Sequence, residues 1–336
     1  KELYEKIDNY MDSEVVLEGW IRNHRKQKEF GFIDFSDGTC FKHIQVVYDN
    51  KLKDFDTIAK YHVGCAIRVT GIVVKSPKES QPFELQAKSV ELLGDCPEDY
   101  PIQPKKHSRE FLREQAYLRP RTNLFQAVFR VRSVAARGIH EYFQSNNYVY
   151  VHTPLLTTAD GEGENQMFKV TTFDFNNLPL NEEKEVDLSK DLFGRQTYIT
   201  GTGQLHGEAY AMSFKKIYTF GPTFRTENSN TKTHANEFWM IEPEMAFMDL
   251  DDLMNVEEEM LKYVVNYVLE KCNDEIEFLD KFVENGLVNK LNTVVVSDFV
   301  RATYKECIDI LQKSDVDFQF KPEYGEDLAK EHERYI

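Results

Sequence analysis

The chain has 336 residues, of which 41% are hydrophobic, and it contains 24 Phe and 17 Tyr. This composition excludes a disordered chain, and the length is enough for two domains with their own cores. No apolar run approaches the ~20 residues that span a bilayer and the start is charged, so we predict a cytoplasmic protein without membrane contact. The five cysteines form no C-x-x-C pair, which argues against a disulfide framework or a thiolate zinc site.

The net charge of −16 at pH 7 alone favours a small-molecule enzyme over a nucleic-acid partner. The distribution of the charged residues along the chain changes that inference. Residues 101–138 contain nine Lys or Arg against two Glu, whereas residues 249–336 contain 22 acidic and 10 basic residues. A basic middle section can therefore contact phosphates while the acidic section faces solvent.

Five short runs in the first 93 residues have the composition of β-strands: residues 15–22, 30–35, 44–48, 66–74 and 83–92. One stretch that can form a helix, residues 52–61, lies before the fourth run. Five short strands and one helix predict a small β-barrel. Aromatic and cationic side chains on such a barrel suit single-stranded nucleic acid, because bases stack on rings and cations follow the backbone.

A basic, proline-containing segment follows the barrel. Residues 95–109 contain three prolines before Lys105 and Lys106, as is typical of an interdomain linker. Residues 123–145 then repeat apolar side chains at helical spacing. A strand is predicted at 148–151, and Pro154 indicates that the extended segment ends at an interface or a turn.

Two glycine-containing segments come next. Residues 157–168 form an acidic loop that lacks the ligand spacing of an EF-hand. Residues 198–210 contain G-T-G-Q-L-H-G, which misses the dinucleotide fingerprint by one residue and lacks the lysine of a P-loop. We predict a strand and a turn there, with a polar surface segment at 176–195 before them.

Two strand-like runs, 218–227 and 237–247, flank a polar loop and predict an antiparallel hairpin. Because side chains alternate along a strand, Arg225 and Glu227 share one face of the first strand. On the return strand, one face carries Phe238, Met240, Glu242 and Glu244. If the two faces coincide, a ring, an arginine and carboxylates converge. A satisfied salt-bridge network, with Arg225 paired to Glu227 or Glu242, fits the same pattern. An amphipathic helix at 252–269 and further acidic helical sequence follow.

The strings FGPTFRTENSN and EFWMIEPEMAF resemble motif 2 of the class II aminoacyl-tRNA synthetases, and of the asparaginyl-tRNA synthetases in particular. GWIRNHR and FGFIDFSDG resemble the OB-fold of that family, and the helix and strand before Pro154 resemble motif 1, its dimer interface. The resemblance covers about residues 14–247. It implies an α+β protein: a five-stranded OB-fold β-barrel that binds the anticodon (1–95), a linker (96–118) and an incomplete antiparallel-sheet class II catalytic domain (119–336).

The resemblance implies ATP-dependent activation of asparagine and its transfer to tRNA(Asn) by a homodimer. Arg225 matches the catalytic arginine on the α-phosphate of ATP. The remaining matches are Glu227, His234 and Phe238 for ATP; Glu162, Gln204, His206, Glu208 and Glu242 for the amino acid; Arg25, Phe32 and Gln45 for the anticodon; and Pro154 for the dimer interface.

One position bears on the amino acid. Aspartyl-tRNA synthetases carry a lysine three residues after the glutamine, where this chain has Gly207, and a lysine suits an anionic side chain. The glycine therefore favours asparagine, although it also fits a plain turn. Three other candidates also have a purely structural interpretation: Phe32 as a residue of the barrel core, Arg25 as a solvated side chain, and His234 as a solvated loop residue.

The sequence departs from the family after the hairpin. Residues 249–336 contain no match to motif 3, a glycine-rich segment with an arginine at the start of a helix. We therefore expect that Mg²⁺, which ATP requires, takes its protein ligands beyond residue 336, and that residues 1–336 alone are inactive or nearly so. An aspartyl-type synthetase and a synthetase-derived RNA-binding module without catalysis remain alternatives.

Overall fold

The computed structural model of the chain describes residues 1–77, 81–159, 167–226 and 234–336. Two short helices precede a closed five-stranded barrel, and the elements of this region are α1 (Glu2–Glu5), α2 (Ile7–Tyr10), β1 (Glu14–Lys26), β2 (Phe30–Ser36), β3 (Ile44–Asp49), α3 (Phe55–Ile58), β4 (Ala66–Lys75) and β5 (Phe83–Gly94). The strand order is β1-β2-β3-β5-β4, and β1 also pairs with β4 to close the barrel. The predicted barrel is confirmed, with a helix shorter than the stretch predicted for it.

Alternating burial fixes the two faces of the barrel wall. Ile33 and Phe35 of β2 and Val46 of β3 are fully buried. Phe32 lies between the buried residues Gly31 and Ile33 and belongs to the outer face, because successive side chains of a strand point to opposite sides. The interpretation of Phe32 as a core residue is therefore wrong.

Two helices and four short strands follow the barrel: α4 (Arg109–Glu114), α5 (Asn123–Ser145), β6 (Val149–Tyr150), β7 (Leu156–Thr157), β8 (Lys169–Val170) and β9 (Thr197–Ile199). Single 3-10 turns occur at Arg119–Arg121, Leu188–Lys190 and Leu192–Gly194. The helix α5 has the bounds that its apolar spacing predicts, and the Thr122 hydroxyl accepts a hydrogen bond from the Phe125 N–H at its start.

The second half of this region contains α6 (Gln204–Phe214), β10 (Lys216–Phe224) and β11 (Glu237–Met245). One sheet has the order β11-β10-β6, with β10 and β11 antiparallel, and a smaller sheet has the order β7-β9-β8. The predicted hairpin is confirmed, although β10 ends at Phe224, one residue before Arg225.

The turn predicted within 198–210 is wrong from Gln204 onward, because α6 begins there. The backbone N–H of Gly207 donates to the Gly203 carbonyl at 2.9 Å, which is the first turn of the helix. Two glycines in four residues are typical of a turn. Here tertiary packing outweighs that local preference, because Gly207 is buried against Ile217 and Glu244.

The acidic section is helical: α7 (Leu250–Lys271), α8 (Asn273–Phe282), α9 (Leu287–Val296), α10 (Tyr304–Gln312) and α11 (Lys330–Tyr335). Helix α7 covers one side of the hairpin sheet, where Val256 and Met260 pack against a core that includes Tyr142 and Tyr218. Part of the acidic section is thus core structure. None of the described helices is long and apolar enough to cross a membrane.

The loop between β2 and β3 joins the barrel to the helices. Arg130 of α5 donates to the Cys40 carbonyl at 3.2 Å, and the Lys42 ammonium lies 2.8 Å from the Asp274 carboxylate of α8. The ring of Phe41 meets the edge of Phe278, with centroids 5.2 Å apart. These contacts attach the barrel to α5 and α8.

Candidate functional site

The Glu242 carboxylate, on β11, is held at the start of α6. It accepts hydrogen bonds from the Thr219 hydroxyl at 2.8 Å, from the Gly203 N–H at 3.0 Å and from the Thr202 hydroxyl. Charge-assisted bonds of this kind fix the carboxylate in one orientation. A Cβ on Gly203 would lie 3.1 Å from a Glu242 oxygen and 2.8 Å from the Thr153 hydroxyl, so the close approach requires glycine.

The Arg225 side chain lies just beyond the end of β10. Its backbone N–H donates to the Asn236 carbonyl at 3.1 Å, and the Asn236 amide donates back to the Arg225 carbonyl at 2.8 Å, so the hairpin pairing continues past the strand. The guanidinium lies 5.7 Å from the centroid of the Phe238 ring and donates to the Gly201 carbonyl at 3.4 Å. The predicted convergence of Arg225 and Phe238 is confirmed.

The side chains of β11 separate into two faces. Ile241 and Met245 pack toward α5 and α7, and Trp239 lies beneath the Arg132 guanidinium at 4.1 Å. Glu242 and Glu244 lie on the opposite face, next to α6. The salt-bridge network considered above is not what holds Glu242, because its partners in this structure include two hydroxyls and a backbone N–H.

Helix α6 carries the candidate amino-acid residues on its first two turns. The Gln204 amide donates to the Glu208 carboxylate at 3.1 Å, so these two side chains are linked along the helix. His206 is exposed on the same turn. Gly207 faces the sheet, where an added Cβ would make ordinary contacts with Ile217 at 3.4 Å and Glu244 at 3.5 Å.

Three carboxylates meet between α6 and β11. Burial raises the pKa of the Glu244 carboxyl, and the negative charges of Glu208 and Glu242 act in the same direction. Burial disfavours the charged form of a carboxyl, and like charges nearby add to that effect. Such a shift in a cleft is typical of binding and catalytic sites, although structural clusters also produce it. Together with Arg225, these groups offer both anionic and cationic binding positions.

The outer face of the barrel brings together the three candidate anticodon residues. Arg25 pairs across the strands with Phe32, and its guanidinium lies 6.0 Å from the ring centroid. Gln45 on β3 pairs with Asp34, two residues along from Phe32 and hence on the same face. The Gln45 amide donates to the buried Glu84 carboxylate at 3.1 Å. This fixes the amide beside the ring.

The remaining candidate residues are either outside the described residues or exposed. Glu162 and Glu227 lie outside the described residues. His234 is described and exposed, and Pro154 is exposed between β6 and β7. Among the residues that the structure describes, no group of three or more His, Cys, Asp or Glu side chains is arranged to hold a metal ion.

Sequence reasoning missed Thr202, Thr219 and Glu84, which hold the candidate side chains in place. Thr219 lies directly opposite Glu242 in the hairpin register, so writing out the register would have identified it. Glu84 comes from β5, which pairs with β3 only through the closure of the barrel. No local pattern reveals that contact.

Comparisons with known families agree with the fold. A family profile described as tRNA synthetases class II (D, K and N) matches residues 108–336, and one described as an OB-fold nucleic acid binding domain matches residues 15–93. The first match covers more than half of the chain. The chain is a class II tRNA synthetase with an OB-fold domain.

Similarity to individual proteins identifies the family within this class. The asparagine–tRNA ligase of Acholeplasma laidlawii is 59% identical over 335 residues, which are 99% of this chain and 72% of the relative. That of Alkaliphilus oremlandii is 53% identical over 336 residues, 100% of this chain and 73% of the relative. The asparaginyl-tRNA synthetase of Pyrococcus horikoshii, solved with asparaginyl-adenylate, superposes with a TM-score of 0.80 at 27% identity, covering 97% of this chain and 69% of that one. The chain belongs to the asparagine–tRNA ligase family.

Proposed function

We propose that the site between α6 and the hairpin binds ATP and asparagine for formation of asparaginyl-adenylate. An oxygen of the asparagine carboxylate attacks the α-phosphorus, and pyrophosphate leaves. A ribose hydroxyl at the end of tRNA(Asn) then attacks the acyl carbon, and AMP leaves. Both steps depend mainly on positioning and on charge stabilisation. The relative from Pyrococcus horikoshii was solved with this adenylate.

The observation that carries the proposal is the opposite charge of two fixed groups on one hairpin. The Glu242 carboxylate, held by Thr219 and Gly203, suits the α-ammonium of an amino acid. The Arg225 guanidinium beside Phe238 suits the α-phosphate, and the ring suits adenine. In the same proposal Gln204, His206 and Glu208 contribute to the amino-acid side, and Glu162, Glu227 and His234 keep their predicted roles.

The barrel supplies the second substrate contact. An exposed ring beside a guanidinium is a stacking platform for an unpaired base, and a fixed Gln amide can both donate to and accept from a base edge. Phe32, Arg25 and Gln45 offer this combination on the outer face. We therefore assign anticodon binding to these three residues.

Apolar exposure supports a homodimer. Val149 and Tyr150 on β6 are each 40% exposed, and Leu156 on β7 is 44% exposed. Pro154 lies between these two strands. The strand β6 is an edge of the hairpin sheet and β7 is an edge of the smaller sheet, and exposed apolar groups on edge strands mark an interaction site. A second copy of the chain is the occupant that the resemblance to motif 1 implies.

The remaining parts of the proposal concern the metal and the compartment. Mg²⁺ accompanies ATP in this proposal, and no step is assigned to it. The cytoplasm is proposed as the compartment because tRNA charging there serves translation.

Titration with a non-reactive asparaginyl-adenylate analogue tests the proposal. We expect saturable binding at one site per chain, measured by calorimetry, and no binding at saturating concentrations would contradict the proposed function.

A further inference from the structure

A large cavity lies where the barrel meets the linker and the helices, well apart in sequence from the hairpin site. Its volume is about 740 Å³, within the ~300–1,000 Å³ that is usual for small-molecule sites. Strand β1, residues 100–107, the start of α5 and the end of α8 contribute its walls. All of the lining residues belong to the described part of the chain.

One part of the wall is apolar and aromatic. Trp20 of the barrel, Leu112 of α4 and Phe282 of α8 contribute side chains from three separate elements. Trp20 is 46% exposed and Phe282 is 63% exposed, which is high for rings of this size. Exposed rings that converge on a concave surface mark a binding site for an apolar or aromatic group.

The other part of the wall is cationic. Arg22, Lys105, Lys106 and Arg121 line the cavity, whereas Asp34 is its single carboxylate. The two carboxylate oxygens of Asp34 lie 3.1 Å from the His43 Nδ1 atom. Among the described residues, none of the four cations forms an ion pair with a carboxylate. The cavity therefore has an excess of positive charge.

The two arginines are held close together. Arg22 donates to the Arg121 backbone carbonyl at 3.1 Å, and Arg121 donates to the Tyr100 hydroxyl at 2.9 Å. The Arg22 Nε atom is shielded from solvent and has no hydrogen-bond partner within the described ranges. Burial lowers the pKa of the Arg22 guanidinium, and the charge of Arg121 acts in the same direction, whereas Tyr100 and Asp34 oppose the shift. A bound anion would offset both unfavourable effects.

We propose that this interdomain cavity binds a small organic anion with an aromatic or apolar body. The anionic group lies against Arg22, Lys105 and Lys106, and the body lies against Trp20 and Phe282. Lys105, Lys106 and Arg121 are exposed, as a groove that follows a nucleic-acid backbone would also require. The concave wall with Trp20 and Phe282 is the feature that favours a small ligand with an apolar body. Because the walls come from both the barrel and the helices, such a ligand also stabilises one relative position of the two.

The anionic aromatic dye 8-anilinonaphthalene-1-sulfonate is a suitable probe. The chain has two tryptophans, so Trp239→Phe leaves Trp20 as the only donor for energy transfer to the dye. We expect saturable energy transfer at one site. The double variant Lys105→Gln/Lys106→Gln should weaken dye binding about 10-fold, because two charge-assisted contacts are lost. Asn123→Phe, at an exposed lining position, should weaken it by occupying the cavity.

The matched control is Lys51→Gln/Lys53→Gln, which makes the same charge change at exposed barrel positions outside the cavity. This control should bind the dye with unchanged affinity. Equal dye affinity in all variants would overturn the proposal. So would unchanged dye binding in Lys105→Gln/Lys106→Gln together with weaker tRNA binding, which would assign these lysines to RNA. Loss of dye binding in the cavity variants alone supports the proposal.

Discussion

The barrel and the hairpin sheet provide binding positions in different ways. The five barrel strands pair in a closed ring, so Phe32 and Gln45 project from the middle of strands that are hydrogen-bonded on both sides. The hairpin sheet is open, with β11 and β6 at its edges, and Arg225 lies beyond the end of β10. Both sites rely on a side-chain contact, Glu84 to Gln45 on the barrel and Thr219 to Glu242 at the hairpin. The barrel positions lie in a closed ring of strands, whereas Arg225 lies beyond the end of its strand.

This difference shows where each site is vulnerable. On the barrel, one outer-face substitution removes a contact without disturbing the core, because the buried residues alternate with the outer ones. At the hairpin, a change in Thr219 or Thr202 alters the orientation of Glu242 without touching a substrate. The following predictions test this contrast.

The largest effect is expected for Arg225→Ala. Removing the positioned cation should weaken binding of the adenylate analogue by about 10²-fold, while the affinity for tRNA, which the barrel supplies, should change little. Calorimetry and filter binding measure the two affinities. Arg225→Lys keeps the charge but not the planar fork, so it should recover only part of the loss. If Arg225→Ala binds the analogue with unchanged affinity, the proposed role of Arg225 in the site is contradicted.

The opposite pattern, weaker tRNA binding with unchanged analogue binding, is expected for Phe32→Ala. Loss of one stacking ring should weaken tRNA(Asn) binding by roughly 10–100-fold, since base stacking contributes about 1–3 kcal/mol. Analogue binding should be unaffected. Phe247→Ala is a control, because that ring is exposed outside the barrel. If both variants weaken tRNA binding equally, the outer face of the barrel is not a specific platform.

A smaller effect is expected for Thr219→Val, which keeps the side-chain shape and removes one donor to Glu242. Analogue affinity should fall about 10-fold, because a hydrogen bond to a charged group contributes about 1.5–3 kcal/mol. Thr223→Val on the same strand changes a buried threonine that is not a partner of Glu242. The account is contradicted when the two variants have equal affinities.

The smallest effect concerns pH and Glu244. Because burial raises the pKa of this carboxyl in the folded protein, its contribution to stability is fully present below the ordinary pKa of 4.5 and is lost as the pH rises through the raised value. Glu244→Gln should therefore raise the melting temperature at pH 7.5, and the gain should diminish toward pH 4.5. Thermal scans at both pH values measure this. A gain that grows on acidification would contradict the assigned direction.

Much of the fold follows from local patterns. The helix α5 has a continuous apolar repeat between a threonine cap and Asn146, so its bounds were predictable. The hairpin followed from two strand-like runs around a polar loop, and the barrel from five short runs. In each case neighbouring residues carry the information.

The parts that sequence could not give depend on contacts between distant residues. Gly203 and Gly207 read as a turn, yet they start α6 because Gly203 fits beneath Glu242, 39 residues further along the chain. Glu84 and Gln45 are likewise 39 residues apart. Such pairs have no periodic signature, so only the register and the closure of the sheets identify them.

The choice between asparagine and aspartate is the central claim, and one paired titration tests it. Non-reactive asparaginyl-adenylate and aspartyl-adenylate analogues are titrated into the chain and into Gly207→Lys. We predict that the wild-type chain binds the asparaginyl analogue at least about 10-fold more tightly, since Gly207 stands where a lysine would suit a side-chain carboxylate. Gly207→Lys should reduce or reverse that preference. Equal or tighter binding of the aspartyl analogue by the wild-type chain would contradict the assignment.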